Sequence, residues 1–103
     1  MELLTNVNFA DTIKQGIVVI DFFAERCWPC KMIAPHLNTL AEKLKGKASF
    51  YKVDVDAQPF LSQSQGIRAM PTMKVFQEGK EVKVIVWADL PSLIKTLESL
   101  IKL

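Results

Sequence analysis

The stretch GIVVIDFFA, residues 16–24, is a near-continuous apolar run rich in β-branched and aromatic side chains. A strand with no water-facing side must lie inside a sheet that is covered on both faces, which restricts the chain to a layered α/β arrangement. Directly after it, Met32, Ile33, Leu37, Leu40, Ala41 and Leu44 recur at helical spacing, and Gly46 supplies a stop after a lysine-bearing last turn. Pro35 lies inside that pattern, lacks an N–H and crowds the carbonyl of Lys31, so a kink is expected there. Residues 48–56, ASFYKVDVD, return to strand chemistry. Strand, helix and strand in that order imply a right-handed crossover between parallel strands.

The remaining segments complete one layered unit. Residues 8–15 read as a short helix with Asn8 as its cap and Phe9 and Ile13 facing inward. QPFLSQSQ, residues 58–65, is a short helix or turn ending before Gly66. MKVF and VKVIVW alternate in polarity and are joined across QEGK, where Gly79 suits a hairpin turn, so these strands should pair antiparallel. Asp89 is placed to cap LPSLIKTLESLIKL, in which Leu93, Ile94, Leu97, Leu100 and Ile101 form one apolar stripe. At 103 residues, half of them apolar, the chain is large enough for one hydrophobic core, and residues 1–103 read as a single domain. A net charge of +2 spread over scattered lysines argues against nucleic acid. No apolar stretch approaches the ~20 residues of a membrane span, and the first residues lack a secretory pattern. The expectation is a soluble, cytoplasmic monomer, although a mature form cut from a longer precursor would read the same.

The chemistry of the chain centres on its two cysteines, in ERCWPCK. Cys27 falls where the buried strand has ended and the helix begins, so free helix N–H groups favour its thiolate. Cys30 follows one helical turn on, close enough for a disulfide to close. A reversible dithiol, a structural bridge and half of a metal site all start from such a pair. The ring closed is so small that it removes little entropy from the unfolded chain, which weakens the structural reading. A zinc site needs about four ligands, and the only histidine, His36, lies six residues past Cys30, where an ordinary, partly exposed helical histidine is expected. Asp21 interrupts the apolar strand, where an unpaired carboxylate is costly and takes up a proton, so its pKa should be raised. One reading makes it a residue that hydrogen-bonds neighbouring backbone or water and only positions the loop. Pro71, in RAMPT, precedes a strand and cannot donate a hydrogen bond at its start.

The segments VVIDFFAERCWPCKMIAP, FYKVDVD, GIRAMPT, VFQEGKEV and the C-terminal amphipathic helix, in that order, resemble the thioredoxin family along essentially the whole chain. The resemblance implies a thioredoxin fold: α/β, with a central mixed four- to five-stranded sheet flanked by helices on both faces. It implies reduction of protein disulfides, with Cys27 as nucleophile and Cys30 as resolving thiol. Asp21 would lie behind Cys30 as its general base, with Lys52 tuning it. A cis Met70–Pro71 bond would leave the Met70 backbone free to pair with an extended substrate. No cofactor or metal is implied beyond the redox-active disulfide, and a flavoprotein of the thioredoxin-reductase type would recharge the pair.

Two places depart from the family pattern. A tryptophan usually precedes the first cysteine and a glycine follows it, whereas this chain has Arg26 and Trp28. The Arg26 guanidinium should favour the Cys27 thiolate, while the Trp28 ring is a contact surface, a lid or shield over the sulfur, or a ring folded back into the space left by the missing tryptophan. After the last strand, where the family commonly has glycine before a small residue, stand Trp87 and Ala88. Trp87 either faces the cysteines or is buried on the sheet. With Pro29, Met70 and Pro71 these residues are assigned to the substrate groove. Two alternatives accompany the reductant reading: a more oxidising or partner-dedicated relative, and a docking module with little redox chemistry.

Overall fold

The computed structural model describes residues 1–102, which form five strands and four helices. In chain order these are β1 (Glu2–Leu3), α1 (Phe9–Thr12), β2 (Ile17–Phe23), α2 (Trp28–Lys43), β3 (Ser49–Asp54), α3 (Pro59–Ser64), β4 (Thr72–Gln77), β5 (Lys80–Val86) and α4 (Leu90–Ile101). The strands lie in the order β1-β3-β2-β4-β5. β3 runs parallel to both β1 and β2, and β4 is antiparallel to β2 and β5. The apolar run of β2 therefore occupies the central strand, as a run with no polar face requires.

Alternation along β2 assigns its two faces. Val18, Ile20 and Phe22 point to one side, where they pack with Leu4, Phe9 of α1, Val53, Leu61 of α3 and Phe76. Val19 points to the other side, joining Ile33 and Leu37 of α2, Leu93 and Leu97 of α4, and Met73, Val75 and Ile85 of the sheet. Asp21, two residues on from Val19, is thereby aimed at α2. This single parity places a carboxyl under the helix that carries Cys30.

Helix α2 begins at Cys27, which holds an extended backbone (ψ 110°), and has a proline in its first turn. It continues through Pro35, whose carbonyl accepts a hydrogen bond from Thr39 Oγ1 at 3.0 Å. The β4–β5 hairpin turns through Glu78 (φ 52°) and Gly79 (φ 86°), two consecutive positive angles that match the twist of the flanking strands. Asp89 caps α4, its Oδ1 accepting from the Ser92 N–H at 3.2 Å. Leu93 and Leu97 are buried, but Ile94 lies at the edge of the predicted stripe and is exposed. Leu103, the last residue of the predicted helix, lies outside the described residues.

Two local expectations change. Asn8 stands at the N-cap position of α1, yet its side chain accepts from the Thr5 N–H at 2.8 Å instead of capping the helix. The preceding turn outcompetes the helix end for that oxygen, as asparagine side chains commonly do. Strand β1 has no counterpart in the sequence reading; two residues carry no periodicity, and they are held by β3, with Leu4 N–H donating to Lys52 O at 2.8 Å.

Candidate active site

Cys27 and Cys30 are joined as a disulfide, their Cα atoms 5.3 Å apart. Cys27 Sγ also accepts a hydrogen bond from the Cys30 N–H at 3.2 Å, so the sulfur takes the place of an N-cap oxygen at the positive end of α2. That contact and the helix dipole both favour negative charge on Cys27. Cys27 is half-buried and Cys30 is 3% exposed, so an incoming group meets Cys27 first. Among the described residues no group of three or more His, Cys, Asp or Glu is placed to hold a metal ion, and His36 is exposed on α2.

Behind the disulfide, Asp21, Cys30 and Lys52 line one cavity of about 170 Å³, together with Ala34 and Asn38. Asp21 is 3% exposed, and its Oδ1 has no hydrogen-bond partner among the described residues. Burial pushes its pKa up from the ordinary 3.8 to about 7, against the opposing pull of the Lys52 charge. Lys52 is the register partner of Asp21 across β2 and β3, and its ammonium stands over the Phe23 ring, 5.4 Å from the centroid. A buried, proton-holding carboxyl that shares a cavity with the inner cysteine is equipped to exchange a proton there.

The rim of the site is built by three loops. Arg26 does not direct its charge to Cys27 alone: its Nη2 pairs with Asp56 Oδ1 at 3.2 Å, tying the cysteine loop to the segment after β3. The nearby carboxylate offsets the guanidinium, so the electrostatic help expected from Arg26 is reduced. Asp56 was not identifiable in sequence, because a pair thirty residues apart on two loops leaves no local pattern. The Met70–Pro71 bond is cis, and Pro71 O accepts a hydrogen bond from the Trp87 N–H at 2.8 Å. Met70 is half-buried one residue before that proline. Thr72 pairs with both Phe22 and Val86, so Pro71 stands at the end of β2 from which the cysteine loop departs.

Trp28 is 69% exposed and Trp87 57% exposed, and both line one groove with Pro29, Met32, Ala88 and Leu90. Exposure on this scale sets aside both a Trp28 ring folded back as filler and a Trp87 buried on the sheet. Met32, 56% exposed, belongs to this groove although it shares the helical spacing of the other apolar residues of α2.

The family model for thioredoxin matches residues 1–99. The chain is 40% identical over 103 residues to a thioredoxin of Chlamydia muridarum, spanning all of this chain and 94% of that one. With a thioredoxin of Malassezia sympodialis it shares 49% identity over 74 residues, 71% of this chain and 70% of the other. Among solved structures, Plasmodium falciparum thioredoxin superposes with a TM-score of 0.88 at 34% identity, covering 96% of this chain and 98% of that one. Mitochondrial thioredoxin 3 of Saccharomyces cerevisiae, in its oxidised form, gives a TM-score of 0.90 at 34% identity, with 97% and 95% covered.

Proposed function

The chain belongs to the thioredoxin family and is a thiol-disulfide oxidoreductase that works through Cys27 and Cys30, and from that premise we propose that it is a reductant of protein disulfides. The observation that carries the mechanism is the cavity shared by Asp21 and Cys30. In the reduced protein the Cys27 thiolate, held at the N-terminus of α2, attacks one sulfur of a client disulfide. A mixed disulfide forms, and the client's other sulfur leaves as a thiolate that takes up a proton from water. Asp21 then accepts the Cys30 proton across the cavity, with Lys52 setting how readily it does so. The Cys30 thiolate attacks Cys27 Sγ, the second client thiolate departs, and the protein is left as the Cys27–Cys30 disulfide. Two electrons have passed to the client. Two electrons and two protons from a flavoprotein of the thioredoxin-reductase type restore the dithiol.

Arg26, Trp28, Pro29, Met70, Pro71, Trp87 and Ala88 form the rim over which the client lies, the Met70 backbone pairing with its extended chain. In this reading residues 1–103 act as a single monomeric domain in the cytoplasm, serving electron transport and redox homeostasis. A net charge of +2 gives no support to a nucleic-acid partner. Among the described residues no helix is long and apolar enough to cross a membrane.

The decisive experiment follows release of a trapped mixed disulfide between pH 6 and 9 in the wild type and in Asp21→Asn. The wild-type rate should rise through a midpoint near 7, set by Asp21. The variant should be slowed by about a hundredfold, within the usual range for loss of a general base, and should lack that midpoint. Equal rates and identical profiles would remove Asp21 from the mechanism.

A further inference from the structure

We propose that Trp28 and Trp87 form an aromatic clamp that selects clients carrying an aromatic side chain within two residues of the cysteine that Cys27 attacks. The inference rests on the oxidoreductase reading and deepens it by naming the class of substrate. Two indoles, 69% and 57% exposed, one at the start of α2 and one in the loop after β5, are left in water in one groove of about 410 Å³. Trp28 and Pro29, which line the groove, are the two residues between the cysteines, so one end of the groove adjoins the cysteine loop. Exposed apolar area of this kind, concentrated next to a reaction centre, is characteristic of a binding surface.

The backbone of Trp87 supplies an independent reason. It holds φ at +79°, a conformation that favours glycine, and is fixed there by the hydrogen bond from its N–H to Pro71 O. Glycine would make the same hydrogen bond without strain and without exposing an indole. A tryptophan kept under both penalties at the edge of a reaction site indicates that its side chain is used. The groove also defines what it accepts. Among the described residues His36 is the only titratable side chain of its lining, so the groove offers a charged client residue little ion pairing. The indoles offer faces and edges, so an aromatic client residue gains offset or edge-to-face contacts beyond its burial.

The test uses two disulfide peptides that differ only in having Trp or Ser next to the attacked cysteine, reduced in competition by the wild-type protein. The Trp peptide should be preferred by about tenfold in kcat/KM, the size of one aromatic contact, with most of the difference in KM. Trp28→Gly and Trp87→Gly should each lower that ratio, the double variant should bring it to about one, and Trp87→Phe should keep most of it. Reduction of both peptides at equal rates by the wild type, or an undiminished ratio in the glycine variants, overturns the clamp alone. Reduction of neither peptide by the wild type overturns the clamp together with the reading it rests on.

Discussion

Replacing Asp21 with asparagine should make the oxidised protein more stable at neutral and alkaline pH, by an amount that depends on pH in a defined way. The folded state holds a proton on Asp21 up to about 7, whereas the unfolded chain releases it near 3.8. Below 3.8 both states are protonated and the carboxyl carries no penalty. Between 3.8 and about 7 the unfolded state has lost the proton and the folded state has not, so stability falls as pH rises, by up to about 1.36 kcal/mol per pH unit. Above about 7 the folded carboxylate is ionised as well, and the loss levels off at about 4 kcal/mol. The asparagine variant has no such titration. Denaturant unfolding of the oxidised wild type and of Asp21→Asn at pH 4, 5, 6, 7 and 8 should give a stability difference that grows to about 4 kcal/mol in favour of the variant at pH 8. For a chain of this length that corresponds to a Tm gain of roughly 15 to 30 °C. A constant difference across the series would show that Asp21 ionises near its ordinary pKa in the folded protein and would refute the reasoning.

Two more perturbations follow from the same site. Trp87→Gly relieves a left-handed backbone conformation that costs roughly 1–2 kcal/mol in a non-glycine residue, offset by up to about 1 kcal/mol of glycine entropy. The denaturation midpoint should therefore stay level or rise by the equivalent of up to about 2 kcal/mol, and a clear loss would mean that the indole is a packing element. Lys52→Met removes the charge that lowers the Asp21 pKa, so the midpoint of mixed-disulfide release should move above about 7, and a downward or absent shift would contradict the coupling.

The central crossover was legible because it depends on patterns within single segments. The near-continuous apolar run of β2, the period of α2 and the glycine of the β4–β5 turn each report their own conformation. Asp21 was legible for the same reason, as one polar residue at an inward position of a buried strand. Features that depend on two distant segments were not. The Arg26–Asp56 pair joins two loops, and the two residues of β1 owe their conformation to β3. Trp87 illustrates a further limit: the residue type argues against a positive φ, and the turn imposes it through the Pro71 carbonyl. Local preference yields there to a tertiary hydrogen bond.

If Asp21 takes the Cys30 proton as proposed, its cost to stability and its value as a base have one physical origin. A cysteine thiol ordinarily releases its proton near pH 8.5, so delivering that proton to a carboxylate of pKa 3.8 would be uphill by roughly 6 kcal/mol. Delivering it to a carboxylate of pKa about 7 is uphill by only about 2 kcal/mol. The difference, about 4 kcal/mol, equals the stability the fold gives up above neutral pH by keeping Asp21 inside β2, because both arise from withholding water from the ionised carboxyl. A better solvated carboxyl would make a firmer protein and a poorer base. The parity of β2 fixes the choice: it puts this residue on the Val19 face, buried against α2 in the cavity it shares with Cys30. On the proposed mechanism exchange at Cys30 and the loss of stability above neutral pH depend on one side chain, and a substitution that corrects the second should impair the first.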